Sequence, residues 1–70
     1  MEYVKVVVPG REHQDIDVLI NTIRNGKVGD VLTVGEGYVL VSVDLPGAEE
    51  KVVELWDTTP SNPMVIEIRA

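Results

Sequence analysis

"DIDVLINTIRNGK", residues 15–27, is the stretch whose reading decides the fold. Ile16, Leu19, Ile20 and Ile23 recur at i, i+3, i+4 and i+7, the spacing of a helix buried along one stripe. Asp17, Asn21, Thr22 and Arg24 would then take the wet side. Asp15 stands where an N-cap acceptor is needed, and Gly26 where a left-handed C-terminal cap is expected. On this reading a helix begins near Asp15 and closes at Gly26.

The segments on either side fit around that helix. Residues 3–8 alternate as a strand, with Val4, Val6 and Val8 on one face and Tyr3, Lys5 and Val7 on the other. Pro9-Gly10 ends it. After the helix, residues 30–34 and 38–43 read as two strands joined by Gly35-Glu36-Gly37, a glycine pattern suited to a three-residue hairpin loop. A second helix is expected from Asp44 or Leu45, with Pro46 in its first turn, Glu49 and Glu50 near its start, and Ala48, Val52, Leu55 and Trp56 as its apolar stripe. "DTTPSNP" (57–63) ends it, and Met64, Ile66 and Ile68 face inward on a last strand over 64–69.

The resulting order is β-α-β-β-α-β, which predicts a ferredoxin-like α+β domain: a four-stranded antiparallel sheet with two helices on one face, spanning residues 1–70 as a single domain. Right-handed crossovers would set the first and third strands side by side and bring the two Pro-Gly corners to one edge. "IRNGKVGDVLTV" (23–34) resembles the helix-to-strand passage of the TusA-type sulfur carriers, and Pro9-Gly10 is similar in placement to the corner of ACT-type small-molecule-sensing domains. The sulfur carriers work through a Cys-Pro, and this chain has no cysteine, so the resemblance implies no sulfur transfer.

Composition limits the function. Twelve Asp and Glu against six Lys and Arg give a net charge of −6, which repels phosphate backbones and disfavours nucleic acid as a partner. His13 is the only histidine and cysteine is absent, so no metal site and no cofactor is expected. No apolar run reaches the roughly 18 residues that span a bilayer, and a cytoplasmic, membrane-free protein is expected. A domain of this size buries only about 60% of its unfolded surface, so association with a second copy is the expected source of further burial.

Two candidate sites follow. At the paired corners, Gly10, Arg11, His13 and Gly47 would offer two helix N-termini and a cation to a small anionic ligand, with helix capping by Asp15 and Asp44 as the competing role. On the uncovered sheet face, Tyr3, Val7, Tyr38, Leu40 and Val65 would form a dimer interface. The expectation is therefore a small, non-catalytic binding or regulatory module that self-associates as a homodimer. Two alternatives stand beside it: an acidic protein-interaction or inhibitor factor of viral or mobile-element type, and a small enzyme using His13 as general acid or base with Asp15 or Asp17.

Overall fold

A computed structural model describes the whole chain, residues 1–70, and it contains seven strands and no helix. The strands are β1 (Glu2–Val7), β2 (Asp17–Ile20), β3 (Ile23–Lys27), β4 (Val31–Val34), β5 (Gly37–Val43), β6 (Lys51–Leu55) and β7 (Met64–Glu67). They form two layers, a three-stranded sheet ordered β4-β1-β7 and a four-stranded sheet ordered β3-β2-β5-β6. The molecule is an all-β sandwich, and the expected ferredoxin-like α+β fold is overturned.

The first expected helix is a hairpin. Ile16, Val18 and Ile20 are all buried, so the operative period is two, and Leu19 is only half-buried on the opposite face. The helical spacing of Ile16, Leu19, Ile20 and Ile23 coexists with this alternation. The β-branched residues at 16, 18, 20, 22 and 23 favour a pleated backbone over a helical one. Asn21 (φ 52°) and Thr22 (φ 71°) make a two-residue turn between Ile20 and Ile23, and positive φ at both positions is the type I′ geometry that matches strand twist. Gly26 is no helix cap. It faces the core beneath Leu32, where a Cβ would lie 2.4 Å from Leu32 Cδ2.

The second expected helix divides into a loop over 44–50 and strand β6, which pairs with β5 from Gly37↔Leu55 to Val41↔Lys51. The two Pro-Gly pairs are turns. Arg11 N–H donates to Val8 C=O (3.0 Å), and Ala48 N–H to Leu45 C=O (3.2 Å). With Pro second, and Gly10 (φ 81°) and Gly47 (φ 78°) third, both have the arrangement of a type II turn. Asp15 and Asp44 cap nothing; their carboxylates pair with Lys27 and Arg24.

Four expected strands do form, near their expected places, but they pair differently. The strands on either side of Gly35-Glu36-Gly37 belong to different sheets, so that turn carries the chain across the sandwich instead of closing a hairpin. β1 pairs antiparallel with β4 and parallel with β7, while β5 pairs with β2 and β6. Between the layers lie fourteen buried residues: eight valines, four isoleucines and two leucines. The core is wholly aliphatic. All three aromatic side chains stand outside it.

One polar side chain is buried with them. Glu2 accepts hydrogen bonds from Thr58 N–H (2.8 Å) and Thr58 Oγ1–H (2.5 Å), and Thr58 Oγ1 in turn accepts from Tyr3 N–H (2.7 Å). This ring ties the loop after β6 to the first strand. The two hydrogen bonds from Thr58, the hydroxyl's first, hold the Glu2 carboxyl below its ordinary pKa against the opposing effect of desolvation.

Candidate functional site

The Pro-Gly corners lose the feature that recommended them, because no helix N-terminus points there. Gly10 N–H is taken by Glu12 Oε1 (3.1 Å), and Arg11 Nη1 by Gln14 Oε1 (3.3 Å). Backbone N–H groups, that of Glu12 itself and then that of Gly10, hold the Glu12 carboxyl below its ordinary pKa. The corner thus already holds an anion, its own. Gly47 lies at the same end of the sandwich, but the C-terminal residues stand between: Ile68 N–H donates to Val7 C=O, and Arg69 exchanges hydrogen bonds with Glu49. The Arg69 N–H bond is also the main reason the Glu49 carboxyl titrates below its ordinary value.

His13 is exposed in the turn over 12–14, with no hydroxyl or thiol hydrogen-bonded to it. Asp15 and Asp17, its expected orienting partners, instead pair with Lys27, and Asp17 also with Arg24. No three His, Cys, Asp or Glu side chains come together as a metal-holding group.

The expected interface residues are divided between two opposite faces. Tyr3 and Val7 on β1 and Val65 on β7 lie on the outside of the three-stranded sheet, around Lys5. Tyr38 and Leu40 lie on the outside of the four-stranded sheet. A sandwich has two outer faces where the ferredoxin-like layout has one open face, and this separates the residues.

The face carrying Tyr38 and Leu40 has the larger exposed apolar side chains, Tyr38, Val52 and Trp56, against Val31 and Val65 on the other. Leu40 stands directly opposite Val52, and Tyr38 opposite Glu54. Leu19, opposite Ser42, is a diagonal neighbour of Leu40. By the same alternation Trp56, one residue beyond β6, falls on this side next to Tyr38. Tyr38 is 72% exposed, Val52 67% and Trp56 52%, whereas comparable side chains in the core are under a tenth exposed. Around this stripe run charged groups, with Arg24 bonded to Asp17 and Asp44 at one end and Glu54 within it. Val52 and Trp56 were legible as apolar but were assigned to a helix stripe that faces inward. The alternation Val53, Leu55 inward and Val52, Glu54, Trp56 outward was the signal for their true side.

A second opening lies at the seam where β3 and β4, edges of different sheets, run past each other. It is a cleft of about 460 Å³ lined by Met1, Ile20, Ile23, Asn25, Thr33, Val34 and Gly35. One hydrogen bond crosses between these two strands, from Asn25 Nδ2 to Thr33 C=O (3.2 Å). No helix in the structure is long and apolar enough to cross a membrane. Compared with family models, curated proteins and solved structures, the chain has no match.

Proposed function

We propose that the chain is a non-catalytic binding module that self-associates through the outer face of its four-stranded sheet. The observation that carries this is the stripe of exposed Val52, Tyr38 and Trp56 around half-buried Leu40, set beside a core with no aromatic residue at all. Aromatic side chains are the largest source of apolar burial a small domain has, and here all three lie outside the core, with Tyr38 and Trp56 more than half exposed. A second copy is the favoured occupant because the dimensions fit. The molecule measures 30 × 21 × 16 Å, and the short dimension of a sandwich runs across its layers, so a sheet face spans about 630 Å² (30 × 21), and two such faces together exceed the roughly 1,000 Å² that a specific interface has to clear. Related by a two-fold axis, the stripe meets itself, and the charged cluster of Arg24, Asp17 and Asp44 stays wet at its end.

Sedimentation of the wild-type chain over a range of concentrations, beside Val52→Glu, tests the reading. Val52 is exposed in a monomer, so the variant should fold normally. A concentration-dependent dimer in the wild type, lost in the variant, is the expected result. A wild type that stays monomeric at NMR concentrations sinks the proposal. So does a dimer that Val52→Glu leaves intact.

A further inference from the structure

Asn25-Gly26 sits at the seam between the sheets, and three observations single it out. First, Asn25 is the surplus residue of a β-bulge: Val18 is registered with Gly26 and Leu19 with Arg24, which leaves Asn25 without a partner on β2. Its backbone can therefore shift at less cost than that of a residue inside a regular ladder. Second, the residue after it is glycine, and the packing favours it. A Cβ there would lie 2.4 Å from Leu32 Cδ2 and oblige that buried side chain to turn aside, and glycine leaves an unhindered backbone nitrogen next to this asparagine. Third, Asn25 is exposed to water.

The other two asparagines are also exposed but lack the first two features. Asn62 precedes Pro63, which has no backbone N–H to act as a nucleophile. Asn21 precedes the β-branched Thr22, and its side-chain Oδ1 is held by Leu40 N–H at 2.9 Å while its own N–H donates to Leu40 C=O at 2.8 Å.

We infer that Asn25 is a site of spontaneous backbone-assisted deamidation. The Gly26 nitrogen, after losing its proton to hydroxide, attacks Asn25 Cγ, so that an N–Cγ bond forms. The Cγ–Nδ2 bond breaks, and ammonia leaves with a proton from water. Water then opens the five-membered imide at either carbonyl, giving aspartate or isoaspartate. In the aspartate product a carboxylate oxygen stands where Nδ2 had donated to Thr33 C=O, and in the isoaspartate product the main chain itself runs through Cγ, so in both the one hydrogen bond between β3 and β4 is lost. In the aspartate form two oxygen acceptors face each other across the seam, in the isoaspartate form β3 gains an extra backbone atom, and either way the cleft beside Ile20 and Ile23 loosens.

The test is to hold the labelled full chain at body temperature and mildly alkaline pH, following intact mass and amide spectra. The expected result is a mass gain equal to exchanging NH2 for OH. The Asn25 side-chain NH2 signals and the Gly26 amide should be lost together, while the Asn21 and Asn62 side-chain signals persist. Asn25→Gln, whose longer side chain would have to close a six-membered ring, should keep the fold and its original mass over the same period. In the converted protein, amide exchange should quicken at Thr33 and Val34. The same chain unfolded in urea gives the reference. Asn25 signals that outlast an incubation in which the unfolded chain has converted would overturn the inference, as would conversion of Asn21 ahead of Asn25.

Discussion

β2 and β5 lie side by side in one sheet, yet only one of them announces itself. In β5, Val39, Val41 and Val43 alternate with Tyr38, Leu40 and Ser42, and no helical spacing competes. In β2 the same inward alternation, Ile16, Val18 and Ile20, is overlaid by Leu19 and Ile23, which complete a helical stripe. The lesson is that an apolar residue on the outer face of a strand can forge a helix pattern. Leu19 lies on the outer face, diagonal to Leu40, so the residue that obscured the fold also borders the candidate site.

The sharpest way to break this comparison is to charge the two neighbours in turn. Val18 is fully buried, and Val18→Asp would put a carboxylate with no partner into an aliphatic core. The cost should exceed a total stability of about 5 kcal/mol for so small a domain, leaving an unfolded chain. Leu19→Asp should remain folded, because position 19 is half-buried, faces outward and is registered opposite Arg24. A helix buried along Leu19 demands the reverse. Circular dichroism and amide dispersion of the two variants decide it.

Much of the strand content was legible, because Val4-Val6-Val8, Val39-Val41-Val43 and Ile66-Ile68 need only a two-residue repeat. The pairing was not. β1 finds its partners near residues 31–34 and 64–67, and nothing local in "YVKVVV" says that one lies antiparallel and the other parallel. In "AEEKVVELW" the glutamates and lysine favour a helix, and it is pairing with β5 that overrides them. At the candidate site the apolar residues could be named from sequence, but which of them share a face depended on there being two sheets.

The turn between β2 and β3 sharpens the comparison at smaller scale. Asn21 tolerates positive φ, but Thr22 is β-branched and held at φ 71°. Thr22→Gly relieves a left-handed strain of about 1–3 kcal/mol and gives back part of it as chain entropy, for a net stabilisation of about 1 kcal/mol. Urea unfolding should show a higher midpoint at an unchanged slope. A destabilised Thr22→Gly would mean that the turn is not of this type.

The longer loop between β6 and β7 makes a turn of its own, where Thr59 and Asn62 exchange backbone hydrogen bonds, and it is also tied down by Glu2, 56 residues away from Thr58. The Glu2 carboxyl is depressed in the folded protein and ordinary in the unfolded chain, so the unfolded chain binds the proton first as pH falls. The stabilisation is therefore complete above the ordinary carboxyl range and is lost as pH drops through the lowered value. Glu12 and Glu49 are depressed as well and add to the same slope. Glu2→Gln should flatten the acid limb of stability against pH without abolishing it. An unchanged acid limb would mean that Thr58 does not bind the carboxylate.

The smallest expected effect is none, and it concerns the repeated Pro-Gly pairs. Under the helical reading, phosphate would shift the amides of Gly10, Arg11, Gly47 and Ala48 together, because two helix N-termini would share one anion. In the sandwich, Gly10 N–H is already given to Glu12, and the N–H groups of Arg11 and Ala48 close their own turns. Phosphate would have to displace a tethered carboxylate and enter a surface of net charge −6. These amides should stay still in a phosphate titration. Joint, saturating shifts would restore the corners as a site, and would require Glu12 to swing away from Gly10, which Glu12→Gln would make easier and so strengthen the binding.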